Sequence, residues 1–290
     1  MLKEMTASQQ NTAKSKASST ASTPLKLTPA NYYSAEADWK YQSATQFKGW
    51  LQCEAAELAQ LKGEWEPQRD PTALLVGNYL HSHFESPAAH EAFLAEHPEI
   101  MASTGKTKGQ LKKPYQVADA MIDTLEGDPE VMALYQGQKE LIVTGQIGGV
   151  DWMGKLDCFA DNHKYFADLK TTQDIYKRMW VDDNRSWGSF IEAYRYPLQM
   201  AVYQELVRQN YGTRSAPLIV AVSKQDPPDH EIVSIPQDLL DYWLNKVIEL
   251  QPRIEAVKNG EVEPKRCERC EYCRATKRVS KIVSLYDLVS

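Results

Sequence analysis

Long apolar segments are missing from this chain of 290 residues. No run approaches the roughly 20 apolar positions that a membrane-spanning helix needs. No secretory apolar segment follows Met1 either. We therefore expect a cytoplasmic protein that has no membrane partner and whose 5 cysteines do not form disulfides.

Several catalytic signatures are also missing. His90 and Glu91 begin an H-E-x-x-H pattern that fails, because Leu94 occupies the position of the second histidine. The chain has neither a Gly-x-Ser-x-Gly motif nor a dinucleotide-binding glycine pattern. The segment 103–109 contains glycines and lysines but lacks the first glycine of a phosphate-binding loop, and no apolar strand precedes it. These absences argue against a metalloprotease, a serine hydrolase and a nucleotide-binding enzyme.

The composition is that of a globular protein, with 42% hydrophobic and 25% charged residues. The net charge of −6 argues against a protein that coats nucleic acid indiscriminately, but a DNA enzyme needs basic residues along one channel only. Residues 1–28 are rich in Ser, Thr, Ala, Lys and Gln, which predicts a disordered tail. We expect one α/β domain over 29–265, with a cysteine cluster and tail over 266–290 packed on it.

Hydrophobic periodicity and turn residues predict alternating helical and strand segments. The expected helices are 43–62, 73–84, 114–126, 128–136, 188–211 and 236–259. Strands are expected within 139–171 and at 217–223 and 231–234. The segment 88–113 reads as a polar, irregular loop that could reach over a substrate, and 178–189 as a loop or short helix.

The segment 154–172 carries the most informative pattern, because it reads as two strands around a two-residue turn at 162–163. In that register, opposite residues have numbers that sum to 325, so Asp157 lies across from Asp168. Lys170 projects from the same face as Asp168, since side chains alternate along a strand. The pattern predicts two facing carboxylates with a lysine beside them.

Two facing carboxylates repel each other unless a cation or a proton lies between them. Oxygen ligands at this spacing suit Mg²⁺ or Mn²⁺, which could polarise a phosphate and lower the pKa of a bound water. Lys170 could then hold the water or offset developing charge. The alternative is a solvated hairpin whose strands carry charges that pair across it.

Asp157 followed by Asp168-Leu169-Lys170 resembles the signature of the PD-(D/E)xK nucleases, in the form found in RecE-like and RecB-like exonucleases. The similarity is in particular to phage and prophage proteins described as exodeoxyribonuclease VIII, PDDEXK-like domain. It extends from about Asn31 to the C-terminal cysteines. Leu156 stands where the classical motif has proline. The resemblance implies an α/β, restriction-endonuclease-like fold, in which helices flank a central mixed sheet in the order αβββαβ.

The resemblance also implies roles for four further residues. His81 ends a Gly-x-x-x-His pattern that starts at Gly77, a glycine expected to allow close approach to the sheet, and the family's histidine approaches the metal. Glu140 occupies a position near the metal or its surroundings. Gln199 and Tyr203 match a Gln-x-x-x-Tyr that contacts DNA or the site lysine. The alternatives are a half-buried polar His81, a surface Glu140, and a core Tyr203 with Gln199 as its polar neighbour.

As a member of this group, the chain is expected to be a Mg²⁺-dependent exonuclease that resects double-stranded DNA ends from 5′ to 3′. Asp157, Asp168 and His81 would bind the metal, with Glu140 nearby. The resemblance further implies a single-strand annealing recombinase as partner, a homo-oligomer such as a ring or tetramer, and a bacterial or phage-infected host cytoplasm. Two alternatives stay open, a Cas4-like nuclease acting on single-stranded ends and a DNA-binding module without turnover.

The C-terminal segment holds Cys267, Cys270 and Cys273 in a C-x₂-C-x₂-C pattern, which gathers three thiolates around one metal. A fourth ligand could be Cys53, Cys158 or a histidine. Resemblance to Cas4-like and AddB-like nucleases implies a [4Fe–4S] cluster with Cys53 as the early ligand, although the C-terminal spacing here is shorter. Zn²⁺ and no metal are the alternatives. Cys158 neighbours Asp157 and is expected to face the core.

Overall fold

A six-stranded mixed sheet organises the protein, which a computed structural model describes for residues 25–68, 71–279 and 282–288. The helices, in chain order, are α1 (Ala35–Lys40), α2 (Ala44–Gln52), α3 (Glu54–Leu61), α4 (Pro71–Glu85), α5 (Pro87–Glu96), α6 (Lys113–Glu126), α7 (Pro129–Leu134), α8 (Phe190–Ala193), α9 (Tyr196–Tyr211), α10 (Gln237–Lys258) and α11 (Glu271–Ala275). The strands are β1 (Gln42–Ser43), β2 (Gln138–Ile147), β3 (Val150–Phe159), β4 (Tyr165–Thr172), β5 (Met179–Val181), β6 (Ser186–Gly188), β7 (Ala216–Ser223) and β8 (His230–Ser234).

The sheet has the expected αβββαβ core. Strand β2 pairs antiparallel with β3 along its length, and the sheet continues through β4, β7 and β8. Strand β7 pairs parallel with β4, because helix α9 connects them by a crossover. The short strand β1 shares one edge of β3 with β4. The predicted fold class is confirmed.

Two apolar layers cover the sheet, one on each face. Helices α2, α9 and α10 form the first with Phe166 and Ile219, while α4 and α6 form the second with Leu169 and Val220. Alternate residues of β7 therefore enter different layers, and the strand is buried on both faces. This explains why its sequence is a continuous apolar run.

Two predicted helices are each broken in two. The helix expected at 43–62 stops at Cys53, whose backbone is extended at φ −165° and ψ 108° and starts α3. The helix expected at 188–211 is interrupted by Arg195, in the left-handed region at φ 52° and ψ 41°. Helix α9 has to restart there because Pro197 is tolerated only in the first turn of a helix.

Two segments that were expected to be mainly loops contain a strand pair and a helix. Residues 178–189 were expected to form a loop or short helix, but β5 and β6 form a separate hairpin with exposed Trp180 and Trp187. The loop expected at 88–113 begins within α5, which Ser86 caps and Pro87 starts. Its remainder is closed by a bridge between Met101 and Leu111.

The predicted tail at 1–28 lies outside the described residues up to position 24. Leu25 and Leu27 are partly buried against Tyr32, Tyr41 and their neighbours, so the packed part of the chain starts before residue 29. Within the described ranges, no helix combines the length and the apolar character needed to cross a bilayer.

Gly77 does not have the role expected of it. No atom of the described residues lies within 4 Å of the place a Cβ would take at Gly77, so close packing on the sheet does not require this glycine. Gly137 is different, because its φ is +138° and a Cβ would lie 2.1 Å from the carbonyl oxygen of Phe159.

Alanine substitutions at these two glycines should therefore have opposite effects on the free energy of unfolding. Gly137→Ala should lower it by on the order of 3 kcal/mol, through backbone strain and a clash with backbone. Gly77→Ala should raise it by about 0.5–1 kcal/mol, because alanine favours the helix. Urea unfolding of both variants measures this, and equal losses would contradict the described packing.

Candidate active site and cysteine cluster

The site lies where strands β3 and β4 separate. The two strands pair only at Cys158 with Ala167 and at Phe159 with Phe166, in the predicted register whose numbers sum to 325. The connection is longer than expected, since it runs over 160–164 rather than two residues. We call the opening beyond these pairs the β3–β4 fork, lined by Asp157 and Asp168.

At the start of the fork, the side chain of Asp157 accepts a hydrogen bond that a backbone carbonyl would accept in a continuous ladder. Its Oδ2 accepts a hydrogen bond of 2.7 Å from the backbone N–H of Leu169 on β4. The same oxygen lies 3.4 Å from Nδ1 of His81, which belongs to α4. The carboxylate of Asp157 therefore connects β3 to β4, and it also faces helix α4, which packs on the sheet.

Glu140 lies on β2, next to Asp157 on β3. The β2–β3 ladder pairs Lys139 with Cys158 and Leu141 with Leu156, so Glu140 is opposite Asp157. Its φ of 50° is in the left-handed region, which strains a residue other than glycine and often accompanies functional sites. Ligand atoms of His81, Glu140 and Asp157 all lie within 4.8 Å of one another.

Asp168 lies beside this group and has its own partners. It is 2% exposed, and its Oδ2 forms an ion pair with Nζ of Lys170. Its Oδ1 accepts a hydrogen bond of 3.1 Å from Nε2 of Gln199 on α9. The face shared by Asp168 and Lys170 was predicted, and the structure brings both next to Gln199.

The protonation behaviour of these groups follows from burial and neighbouring charge. Burial, together with Lys170, lowers the pKa of His81 to about 4, so its imidazole is neutral at pH 7. Burial and Asp168 raise the pKa of Asp157 well above its ordinary range. Burial alone would lower the pKa of Lys170, but Asp168 and Asp157 outweigh it and raise that pKa.

This set of residues fits a divalent cation. Lys170 is ion-paired with Asp168 and Lys155 with Glu140. Within the described residues, no lysine or arginine forms an ion pair with Asp157. Neutral imidazole and carboxylate oxygens are ligands that Mg²⁺, Mn²⁺ and similar ions accept. A cation bound by His81, Glu140 and Asp157 would compensate the unbalanced charge.

Tyr203 differs from its expected role. It is 9% exposed and packs directly on Gly154 of β3, where an added Cβ would lie 2.8 Å from its ring. Its ring also contacts Phe166 at 6.4 Å between centroids. Tyr203 therefore forms part of the core under the site, while Gln199, one turn earlier, reaches Asp168.

Three residues next to the site were not singled out from the sequence. Lys48 on α2 donates to Oε1 of Gln199 at 3.1 Å, and Tyr196 lies under both Lys48 and Lys170 at 4.9 and 5.2 Å from the ring centroid. Lys155 could have been recognised, because it is two residues before Asp157 and so shares its face of β3. Lys48 is harder to recognise from the sequence, because its only unusual feature is a position beside the apolar stripe of α2.

Four of the five cysteines form a second cluster. Sulfur atoms of Cys53, Cys267, Cys270 and Cys273 lie within 4.8 Å of one another, with Cys53 and Cys273 3.6 Å apart. Cys158 is fully buried in the apolar layer with α4 and α6 and takes no part. Of the candidates for a fourth ligand, the structure thus brings Cys53 to the other three.

Local structure prepares the cluster for a metal. The backbone N–H of Cys270 donates to the sulfur of Cys267 at 3.2 Å, and that of Cys273 to the sulfur of Cys270 at 3.4 Å. Burial works against ionisation of Cys267, yet backbone N–H groups outweigh it and lower its pKa to about 7. A thiolate is the form that binds a metal, so the bonds to Cys267 favour its binding, whereas burial raises the pKa of Cys270 and Cys273.

Contacts around the cluster join the C-terminal segment to the start of α3. Arg253 binds Glu54 through two hydrogen bonds of 2.7 and 2.8 Å, and Glu54 also accepts from the backbone of Lys265 at 2.7 Å. The backbone N–H of Ala55 donates to the carbonyl of Lys265 at 3.1 Å. These bonds hold Cys53 opposite cysteines more than two hundred positions later.

Comparison with known proteins agrees with this geometry. A family model described as a PDDEXK-like domain of unknown function (DUF3799) matches residues 43–276. The chain belongs to this family. The match spans the fork, both helices that reach it and the cysteine cluster, so the protein has the fold of the PDDEXK nucleases, which generally use divalent metals.

One solved structure gives the same result. A candidate exonuclease from Eubacterium rectale is 36% identical, with a TM-score of 0.83 over 92% of this chain and 99% of that chain. The structure of SSO0001 is 13% identical, with a TM-score of only 0.28 over 71% of this chain and 95% of that one. No curated protein matches the chain. The PDDEXK fold and a nuclease function are therefore supported by family and structure together.

Replacing the buried Cys273 by serine tests the cysteine cluster. We expect Cys273→Ser to lose bound metal and to lower the free energy of unfolding by on the order of 2–5 kcal/mol, because a link closing a long loop is lost. Cys158→Ala is the matched control and should retain the metal. Metal content by mass spectrometry and thermal unfolding give the readouts, and equal metal content in both variants would contradict a cluster at this position.

Proposed function

We propose that the protein is a Mg²⁺-dependent exodeoxyribonuclease that hydrolyses phosphodiester bonds from the ends of double-stranded DNA. The observation that carries this proposal is the grouping of His81, Glu140 and Asp157 beside Asp168 and Lys170 at the β3–β4 fork. The likeness to a candidate exonuclease supports action at DNA ends. Mn²⁺ is the expected substitute for Mg²⁺.

A divalent cation held by these ligands would polarise the scissile phosphate and lower the pKa of the attacking water. Lys170 is partly buried and charged, so it can donate to the water or to a phosphate oxygen as negative charge develops. Asp168 orients the lysine through their ion pair. His81 is neutral and presents a lone pair instead of a competing positive charge.

The biological setting follows from the family resemblance. Resection in the 5′-to-3′ direction would leave single strands for an annealing recombinase, which makes such a protein the expected partner in recombination or repair. A homo-oligomer would keep the enzyme on the DNA between successive cleavages. The expected location is the cytoplasm of a bacterium or of a phage-infected host.

The cysteine cluster is proposed to hold a [4Fe–4S] cluster, with Zn²⁺ as the alternative. Four sulfur ligands suit either centre. Its place at the junction of α2 and α3, away from the carboxylates, supports a structural role. Metal bound there would stabilise the position of the N-terminal helices without taking part in hydrolysis.

Digestion of linear and closed-circular duplex DNA tests the proposed function. With Mg²⁺, the wild type should degrade only the linear form, and Asp168→Ala should remove this activity because Lys170 loses its carboxylate. Gel analysis over time measures both. Cleavage of circles would indicate an endonuclease, preference for single-stranded ends the Cas4-like alternative, and binding without cleavage a DNA-binding module.

Lys170→Ala tests the role of the lysine separately from metal binding. We expect kcat to fall by about 10²–10³, the usual loss when one charge-stabilising donor is removed. Mn²⁺ affinity should be retained, because Lys170 is not expected to bind the metal. Lys164→Ala, which removes an exposed lysine from the connection before β4, is the control and should keep full activity. Normal turnover by the Lys170 variant would refute the assignment.

A further inference from the structure

Lys48 is an inward-facing lysine on α2 whose role the proposed chemistry does not explain. Its Nζ lies 3.1 Å from Oε1 of Gln199 and 4.9 Å from the centroid of the Tyr196 ring. The groups facing it include Lys170, Asp168 and Arg195. Burial and Lys170 lower the pKa of Lys48 to about 7, so the protein keeps this amine where its charge is disfavoured.

The hydrogen bonds of Gln199 depend on which end of its amide faces which partner. Its Nε2 donates to Oδ1 of Asp168 at 3.1 Å, while its Oε1 accepts from Lys48. An ionised carboxylate can only accept, and Lys48 can only donate when it is protonated, so in that state the reversed amide would lose both bonds. Lys48 and Asp168 together therefore permit a single orientation of Gln199.

We propose that Lys48 is a positioning residue that acts through Gln199, locking its amide so that Nε2 holds Asp168. This inference rests on the proposed nuclease function and deepens it. Asp168 Oδ1 is thereby kept on Gln199, which leaves Oδ2 facing Lys170. Without Lys48, the amide oxygen of Gln199 loses its donor, and the side chain is free to leave Asp168 for another rotamer. The orientation of Asp168 at the fork would then be lost.

The same lysine could instead bind a DNA phosphate directly, and the two roles predict different kinetics. A residue that positions Asp168 affects the cation site and the chemical step, so it changes kcat. A residue that contacts phosphate affects DNA binding and its salt dependence, with a salt slope lower by about 1 when the lysine is removed. Its hydrogen bond to Gln199 favours the first role.

A double-mutant cycle over Lys48→Met, Gln199→Met and the combined variant tests the proposal. Methionine keeps the length of both side chains and removes their polar ends. We expect Lys48→Met to weaken Mn²⁺ binding and lower kcat by about 10-fold, because it disturbs Asp168, which the family resemblance expects to bind the metal together with Asp157 and His81. KM for linear DNA should not change. The combined variant should be no worse than Gln199→Met, because Lys48 acts through Gln199.

Stability is the control for a merely structural effect. Lys48→Met replaces a buried amine by an apolar side chain, so its melting temperature should equal or exceed that of the wild type. A lower melting temperature, unchanged Mn²⁺ affinity with unchanged kcat, or losses that multiply in the combined variant would overturn the proposal. Mn²⁺ binding is measured by calorimetry without DNA, so this result stands even if the wild type cleaves no DNA.

Discussion

The separation of β3 and β4 is the constraint on which the rest of the site depends. Two paired positions hold the strands together, and beyond them a side chain, Asp157, replaces a backbone partner by binding the N–H of Leu169. Carboxylates on both strands can then face the same opening. Had the ladder continued, backbone groups would have filled the space that His81 and Gln199 reach from opposite faces of the sheet.

The three carboxylates in and beside this opening differ in their charged partners. Asp168 and Glu140 each have a lysine partner, whereas Asp157 has only a neutral imidazole and a backbone N–H. A buried carboxylate without a compensating cation is unfavourable. A divalent ion bound at the fork would correct this imbalance, and the lysines paired with Asp168 and Glu140 would then lie beside that ion.

The cysteine cluster supports the site from a distance. Cys53 follows α2, the helix that carries Lys48, and its sulfur lies beside those of the C-terminal cysteines. Bonds from Glu54 to Arg253 and to the backbone of Lys265 reinforce this joint. A metal bound by these cysteines would link distant parts of the chain and so restrict the unfolded state. The position of α2 over the fork thus depends on residues near the other end of the protein.

Local patterns in the sequence determined the strand register, the shared face of Asp168 and Lys170 and the buried strand β7, because side-chain alternation is a property of neighbouring residues. Only the tertiary structure decided that Cys53, not Cys158, joins the cysteines, that Glu140 turns toward Asp157, and that Lys48 binds Gln199. Each of these depends on where separate elements pack. Lys48 and Gln199 are 151 positions apart, and no local periodicity relates residues at that separation.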